Sequence, residues 1–115
     1  MEFSTSLKLN HIFQRLYRTQ GYANSCMVLY VRKNRTATNR VGITVSKKLG
    51  HAVVRNRVRR RLREVYRLHE DQFCPGYDIV LVARTRAIRA DFGTLTDACL
   101  SLAEKAGILI PSGEQ

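Results

Sequence analysis

Acidic residues are scarce in this 115-residue chain: nine Asp and Glu stand against twenty Lys and Arg, for a formal net charge of +11. No cluster of carboxylates or histidines is available for a two-metal hydrolytic site, so no protein-borne catalytic residue is expected. The cysteines are also few. Cys26, Cys74 and Cys99 are widely separated and form no CxxC pair, and His11, His51 and His69 add no ligand at short spacing. That excludes a zinc site and leaves three unpaired thiols of a reducing compartment, with Cys26 and Cys99 expected in the core. No apolar run is long enough to span a membrane. The start "MEFSTSLKLN" lacks the basic and apolar regions of a signal peptide, so the expected location is cytoplasmic. Repeats, low-complexity blocks and linkers are absent as well. The length suits one small domain over residues 1–115, with 1–6 and 108–115 expected to be loosely held.

What is present is a foldable, strongly basic chain. Hydrophobic residues make up 44% of it, as in ordinary globular domains, and its isoelectric point is near 10.3. A charge of that sign implies a polyanionic partner, with nucleic acid favoured over an anionic membrane. In "LKLNHIFQRLYRTQG", Leu9, Ile12, Phe13, Leu16 and Tyr17 recur at helical spacing before Gly21, which predicts a helix over roughly Lys8 to Thr19. Strands are expected near Cys26 to Arg32 and Arg40 to Ser46, joined as a hairpin by the polar "KNRTATN". In the second of these, Val41, Ile43 and Val45 alternate with Arg40, Gly42, Thr44 and Ser46, so one face can be buried while the other is a possible binding surface. "YDIVLVAR" reads as an interior strand after the break at Cys74 to Gly76. A helix follows on Phe92, Leu95, Ala98, Cys99, Leu102 and Ala106, with Gly107 as its stop. The order describes an α+β two-layer sandwich: a small mixed four-stranded sheet packed with about three helices.

The segment "VVRNRVRRRLREVYRLHE" holds seven arginines between Arg55 and Arg67, with Glu64 as the one acid among them. Val54, Val58, Leu62, Val65 and His69 fall within a sector of about 80° if each residue advances ~100°, which makes the segment an amphipathic helix. Arg55, Arg59 and Arg63 climb one flank of that wheel, Arg57 and Arg61 the other, and Arg60 and Arg67 lie nearly opposite the stripe with Asn56. A solvated helix face interleaves Glu with Lys. Here like charges sit at i,i+4 spacing, where each pair repels by ~0.2–0.5 kcal/mol. Arg in place of Lys favours bidentate phosphate contact and stacking on bases. No compact helix-turn-helix pattern accompanies the helix, so DNA is not the expected partner. Phe13, Tyr17 and Tyr30 are rings that could stack on unpaired bases, although ordinary core packing is the better explanation of any single one of them.

From Arg40 to Arg67, "RVGITVSKKLGHAVVRNRVRRRLREVYR" resembles the protein subunit of bacterial ribonuclease P. The signature is an Arg-Asn-Arg motif on a basic helix after a Val-Ser-Lys-Lys turn, here Arg55, Asn56, Arg57 and Val45, Ser46, Lys47, Lys48. The likeness extends to "LKLNHIFQRLYRTQG" and "YDIVLVARTRA". The resemblance implies a left-handed βαβ crossover, against the usual hand. It implies that the chain binds the catalytic RNA of a ribonucleoprotein that removes the 5′ leader from precursor tRNA. It also implies that Arg55, Asn56, Arg57, Arg59, Arg60 and Arg63 contact that RNA. Phe13, Tyr17 and Tyr30, with Lys47 and Lys48, would line a cleft for the single-stranded leader. Catalysis would belong to the RNA and its bound Mg2+ ions, the protein raising substrate affinity. Against the family pattern, Leu9, Ile12 and Glu2 make the N-terminal segment less basic, and His51 stands at a turn position commonly held by Lys or Asn; Tyr17 keeps a ring where Phe is frequent. The competing expectations are a generic or ribosome-associated RNA-binding protein and a nuclease that acts without RNA.

Overall fold

The apolar strand "YDIVLVA" takes the centre of the molecule. In the computed structural model, which describes residues 4–6 and 21–110, five strands form one sheet: β1 (Ser4–Ser6), β2 (Tyr22–Ala23), β3 (Met27–Lys33), β4 (Asn39–Thr44) and β5 (Tyr77–Ala83). Their order is β1-β4-β5-β3-β2. β5 is antiparallel to β3 and parallel to β4, while β1 runs parallel to β4 and β2 antiparallel to β3. The sheet is therefore mixed, as expected, with five strands rather than four because two short edge pieces join it.

One connection differs from the sequence reading. β3 and β4 were expected to pair as a hairpin, yet β5 lies between them. The reason is burial: Ile79, Val80 and Leu81 are all at most 1% exposed, and a strand apolar on both faces belongs in the interior of a sheet. The 34–38 loop bridges over the start of β5, with the Asn34 amide donating to the Gly76 carbonyl at 2.9 Å.

Two helices are present among the described residues, α1 (Ala52–His69) and α2 (Phe92–Lys105); the helix expected over Lys8 to Thr19 lies outside them. α1 is the crossover between the parallel neighbours β4 and β5. It buries Val58, Leu62, Val65 and Tyr66, and α2 buries Leu95, Cys99, Leu102 and Ala103, all in one core with Met27, Leu29, Val41, Ile79 and Leu81 of the sheet. Each Val, Leu, Ile and Met among them contributes about 1.5–3 kcal/mol when removed from water. Cys26 and Cys99 sit in this core as expected. The expected stripe on α1 holds at Val58, Leu62 and Val65, with Val54 and His69 half-buried at its ends. The tail was expected to be loose from Ile108. Instead Ile108 is buried, Leu109 bridges to Phe73, and the Ile110 amide donates to Gln72, so the chain is held through residue 110.

Candidate nucleic-acid interface

Helix α1 is fixed by its apolar stripe, and its remaining circumference is left to the arginines. Hydrogen bonding divides them. Arg61 donates through Nη2 to the Ala90 carbonyl at 2.6 Å, tying the helix to the chain ahead of α2. Arg67 forms an ion pair with Glu64, which raises the guanidinium and holds the carboxyl below its ordinary range, mainly through the hydrogen bond between them. These are the two arginines of the helix that the expected RNA-contact set leaves out.

Within that set, Arg55 Nε donates to the Gly50 carbonyl at 3.2 Å and Arg59 Nη1 to Asn56 Oδ1 at 2.9 Å. Arg57, Arg60 and Arg63 are exposed and have no side-chain partner among the described residues. A partnerless guanidinium keeps all five donors for a ligand. The start of the helix adds to the same field. Its N-cap residue, His51, makes no side-chain capping bond, and the first turn contains no acid, so the unpaired amides there carry the positive end of the helix dipole.

Lys47 and Lys48 lie on the short 3-10 turn Lys47–Leu49 between β4 and α1. Ser46 Oγ accepts the Lys48 amide at 3.2 Å and fixes the turn, while Gly50, at φ 141°, reverses the chain into the helix. Both lysines are exposed. From Lys47 to Arg63 the chain therefore carries eight cations and no acid.

The sheet face turned away from the two helices is more structured than alternation suggested. Cross-strand register stacks three rows there: Arg32, Asp78 and Arg40; Tyr30, Val80 and Gly42; Val28, Val82 and Thr44. Tyr30 occupies the middle of this face. Its ring lies close over Gly21, where an added Cβ would approach Cε1 to 2.8 Å, so only glycine leaves the ring its seat. Arg40 and Asp78 form a bidentate pair, Nε to Oδ1 at 2.6 Å and Nη2 to Oδ2 at 2.7 Å. Neither Asp78 nor this pair was expected from sequence. The face is thus partly closed by a charge pair and a row around buried Val80. Phe13 and Tyr17, the other expected cleft rings, lie outside the described residues.

Tyr66 was also missed. Its hydroxyl accepts from Asn39 Nδ2 at 3.2 Å, and Asn39 Oδ1 accepts the Tyr77 amide at 2.8 Å, so one buried asparagine links α1, β4 and β5. The signal available was Asn39 at a strand start, which has no meaning until the partner is known. The Cys99 thiol is pushed up to about 12 by burial and offers no nucleophile at neutral pH. Among the described residues no three His, Cys, Asp or Glu side chains are placed to hold a metal ion.

Comparison with known proteins gives one consistent result. The family model described as Ribonuclease P matches residues 1–107. The ribonuclease P protein component of Natranaerobius thermophilus is 44% identical over 105 residues, covering 90% of this chain and 91% of that one. The component from Clostridium botulinum is 42% identical over 104 residues, 89% and 94% of the two chains. The solved RNase P protein of Staphylococcus aureus superposes with a TM-score of 0.82 at 32% identity, over 91% of this chain and 97% of that one. The Thermotoga maritima RNase P protein does so with a TM-score of 0.79 at 30% identity, over 87% and 96%. Matched by the family model over residues 1–107 and by relatives above 40% identity over most of both chains, the chain belongs to the ribonuclease P protein family.

Proposed function

We propose that this chain is the RNA-binding protein subunit of a ribonuclease P ribonucleoprotein, which removes the 5′ leader from precursor tRNA in the cytoplasm. The observation that carries the reading is the set of unpartnered guanidiniums on α1. Arg57, Arg60 and Arg63, flanked by Arg55, Asn56 and Arg59, form a cationic face with no anion among the described residues to satisfy it, and guanidiniums so placed suit bidentate contact with RNA phosphates. The catalytic RNA is assigned to this face.

The leader of the precursor is assigned to the opposite sheet face, where Tyr30 offers a stacking ring, with Lys47 and Lys48 for phosphates and with Phe13 and Tyr17 as the further rings. Stacking tolerates any base, which suits a leader of variable sequence. Magnesium is assigned to the RNA, where it would activate the attacking water; the described residues offer no ligand cluster of their own. The protein's part is then affinity. It screens the repulsion between two RNAs and holds the leader while the RNA performs the cleavage.

Reconstitution tests this directly. Precursor tRNA is incubated at near-physiological magnesium with protein alone, catalytic RNA alone, and both together. Cleavage at the mature 5′ end is expected only in the combined reaction. A folded protein that gives no stimulation would return the chain to a generic RNA-binding role, and cleavage by RNA-free protein would place catalysis on the protein.

A further inference from the structure

The cationic surface does not end with α1. Because β4 and β5 are adjacent and parallel, the chain leaves both strands at the same end of the sheet. After β4 come Lys47, Lys48 and the first turn of α1; after β5 comes the 3-10 turn Thr85–Ile88. In open sheets, the carboxyl ends of parallel strands are where loops gather around ligands.

The turn after β5 is firmly seated. Ala87 is fully buried, its amide donating to the Arg84 carbonyl at 2.9 Å, and Arg84 itself is tied down through Nη1 to the Asn24 carbonyl at 3.0 Å. On the α1 side, Arg61 clamps Ala90, with Arg57 one helical turn away on the same flank. Between these anchors Thr85, Arg86, Ile88 and Arg89 line an open basin of about 580 Å³, within the size range of small-ligand sites. Ile88 is half-buried against the core and gives an apolar floor. Arg86 and Arg89 are exposed on its rim and have no side-chain partner among the described residues. The carboxylate nearest along the chain, Asp91, is turned to the Thr94 amide of α2 at 2.7 Å and is not part of the basin's lining.

Among the described residues of the lining, an apolar floor, one hydroxyl and two guanidiniums without a described partner form the complement of a nucleotide: apolar contact of a base or ribose with Ile88, phosphates on Arg86 and Arg89. We propose that this basin binds one nucleotide of an unpaired RNA strand and carries the α1 contact around the end of the sheet. The inference rests on the reading of α1 as an RNA-docking face. The strand can come from the catalytic RNA or from the leader of the precursor, and both present the same chemistry.

The test uses the full chain reconstituted with the catalytic RNA and compares wild type with Arg86→Ala/Arg89→Ala. Three binding reactions are followed over a salt series: protein with catalytic RNA, holoenzyme with precursor, and holoenzyme with mature tRNA. Losing two charge-assisted contacts should weaken the affected reaction about tenfold and reduce its slope of log affinity against log salt by about 1.4, at about 0.7 per single-strand phosphate. The thermal midpoint should not move. Loss confined to precursor places the leader in the basin; loss in the first reaction places the catalytic RNA there. Unchanged affinity and slope in all three overturn the inference. The variant Arg57→Ala/Arg60→Ala, run in parallel, separates the two readings: if it weakens RNA binding while the basin variant does not, the basin assignment alone falls.

Discussion

A carboxylate with no solvent exposure is costly unless it is both paired and hydrogen-bonded, and Asp78 meets both conditions. Arg40 grips it with two donors while Asn34 Nδ2 adds a third bond at 3.1 Å, and Arg40 itself remains 33% exposed. Removing the cation strands the buried charge, whereas removing the charge leaves a cation that can reach water. Arg40→Ala is therefore expected to destabilise the fold by about 3–5 kcal/mol, and Asp78→Asn by clearly less, in urea denaturation at neutral pH. The reverse ranking would mean that the carboxyl does not need its partner. Nothing in "YDIVLVAR" announced this pair. The alternation that reveals a strand is local, but whether an Asp within it is buried depends on a residue 38 positions away. Asn39 and Tyr66 were hidden for the same reason, each polar group acquiring its role only from a distant neighbour.

The two helices begin in opposite ways. α2 opens at Asp91, whose carboxylate accepts the Thr94 amide, while α1 opens at His51 with no side-chain bond at all. One helix end is satisfied internally; the other leaves its amides to whatever anion arrives. The capping bonds to Thr94 hold the Asp91 carboxyl below its ordinary value of 3.8. A depressed folded-state value means that its stabilisation is fully present above that ordinary value and is lost as pH falls through the lower, folded one. Asp91→Ala should thus melt earlier than wild type at neutral pH, with the gap closing in strong acid. Asp91→Asn, which can still cap, should retain most of the midpoint without this pH dependence. Thermal melts at several pH values check both. At this scale the sequence was informative where a pattern ran long enough: eighteen residues of α1 and the seven of β5. β1 and β2, three and two residues long, have no period to detect. The pairing of β3 and β4 failed because a short polar connection suits a hairpin and equally suits a crossing over a third strand.

At the scale of the molecule, the described cations are unevenly spread: eight lie between Lys47 and Arg63 on the turn before α1 and on α1 itself, and more lie beyond β5, while Lys33 and Arg35 share the other end of the sheet with Glu70 and Asp71. Binding through the α1 face should consequently be strongly salt-dependent. Arg57→Ala/Arg60→Ala is expected to reduce the slope of log affinity for the catalytic RNA against log salt by up to about 1.8, at about 0.9 per lost duplex phosphate contact, with circular dichroism unchanged. An unaltered slope would move the docking surface elsewhere. Net charge and the arginine wheel made the α1 cations readable from sequence, but the turn beyond β5 was not, because it joins the α1 surface only through the parallel alignment of β4 and β5. The hydrogen bond from Arg61 to Ala90 has a consequence of another kind. A basic tail must give up its conformational freedom on meeting RNA, and that loss is subtracted from its affinity. Here one arginine rivets the helix to the body of the protein, so in the proposed complex the backbone that carries the other arginines is ordered before RNA arrives, and only their side chains remain to be fixed on binding.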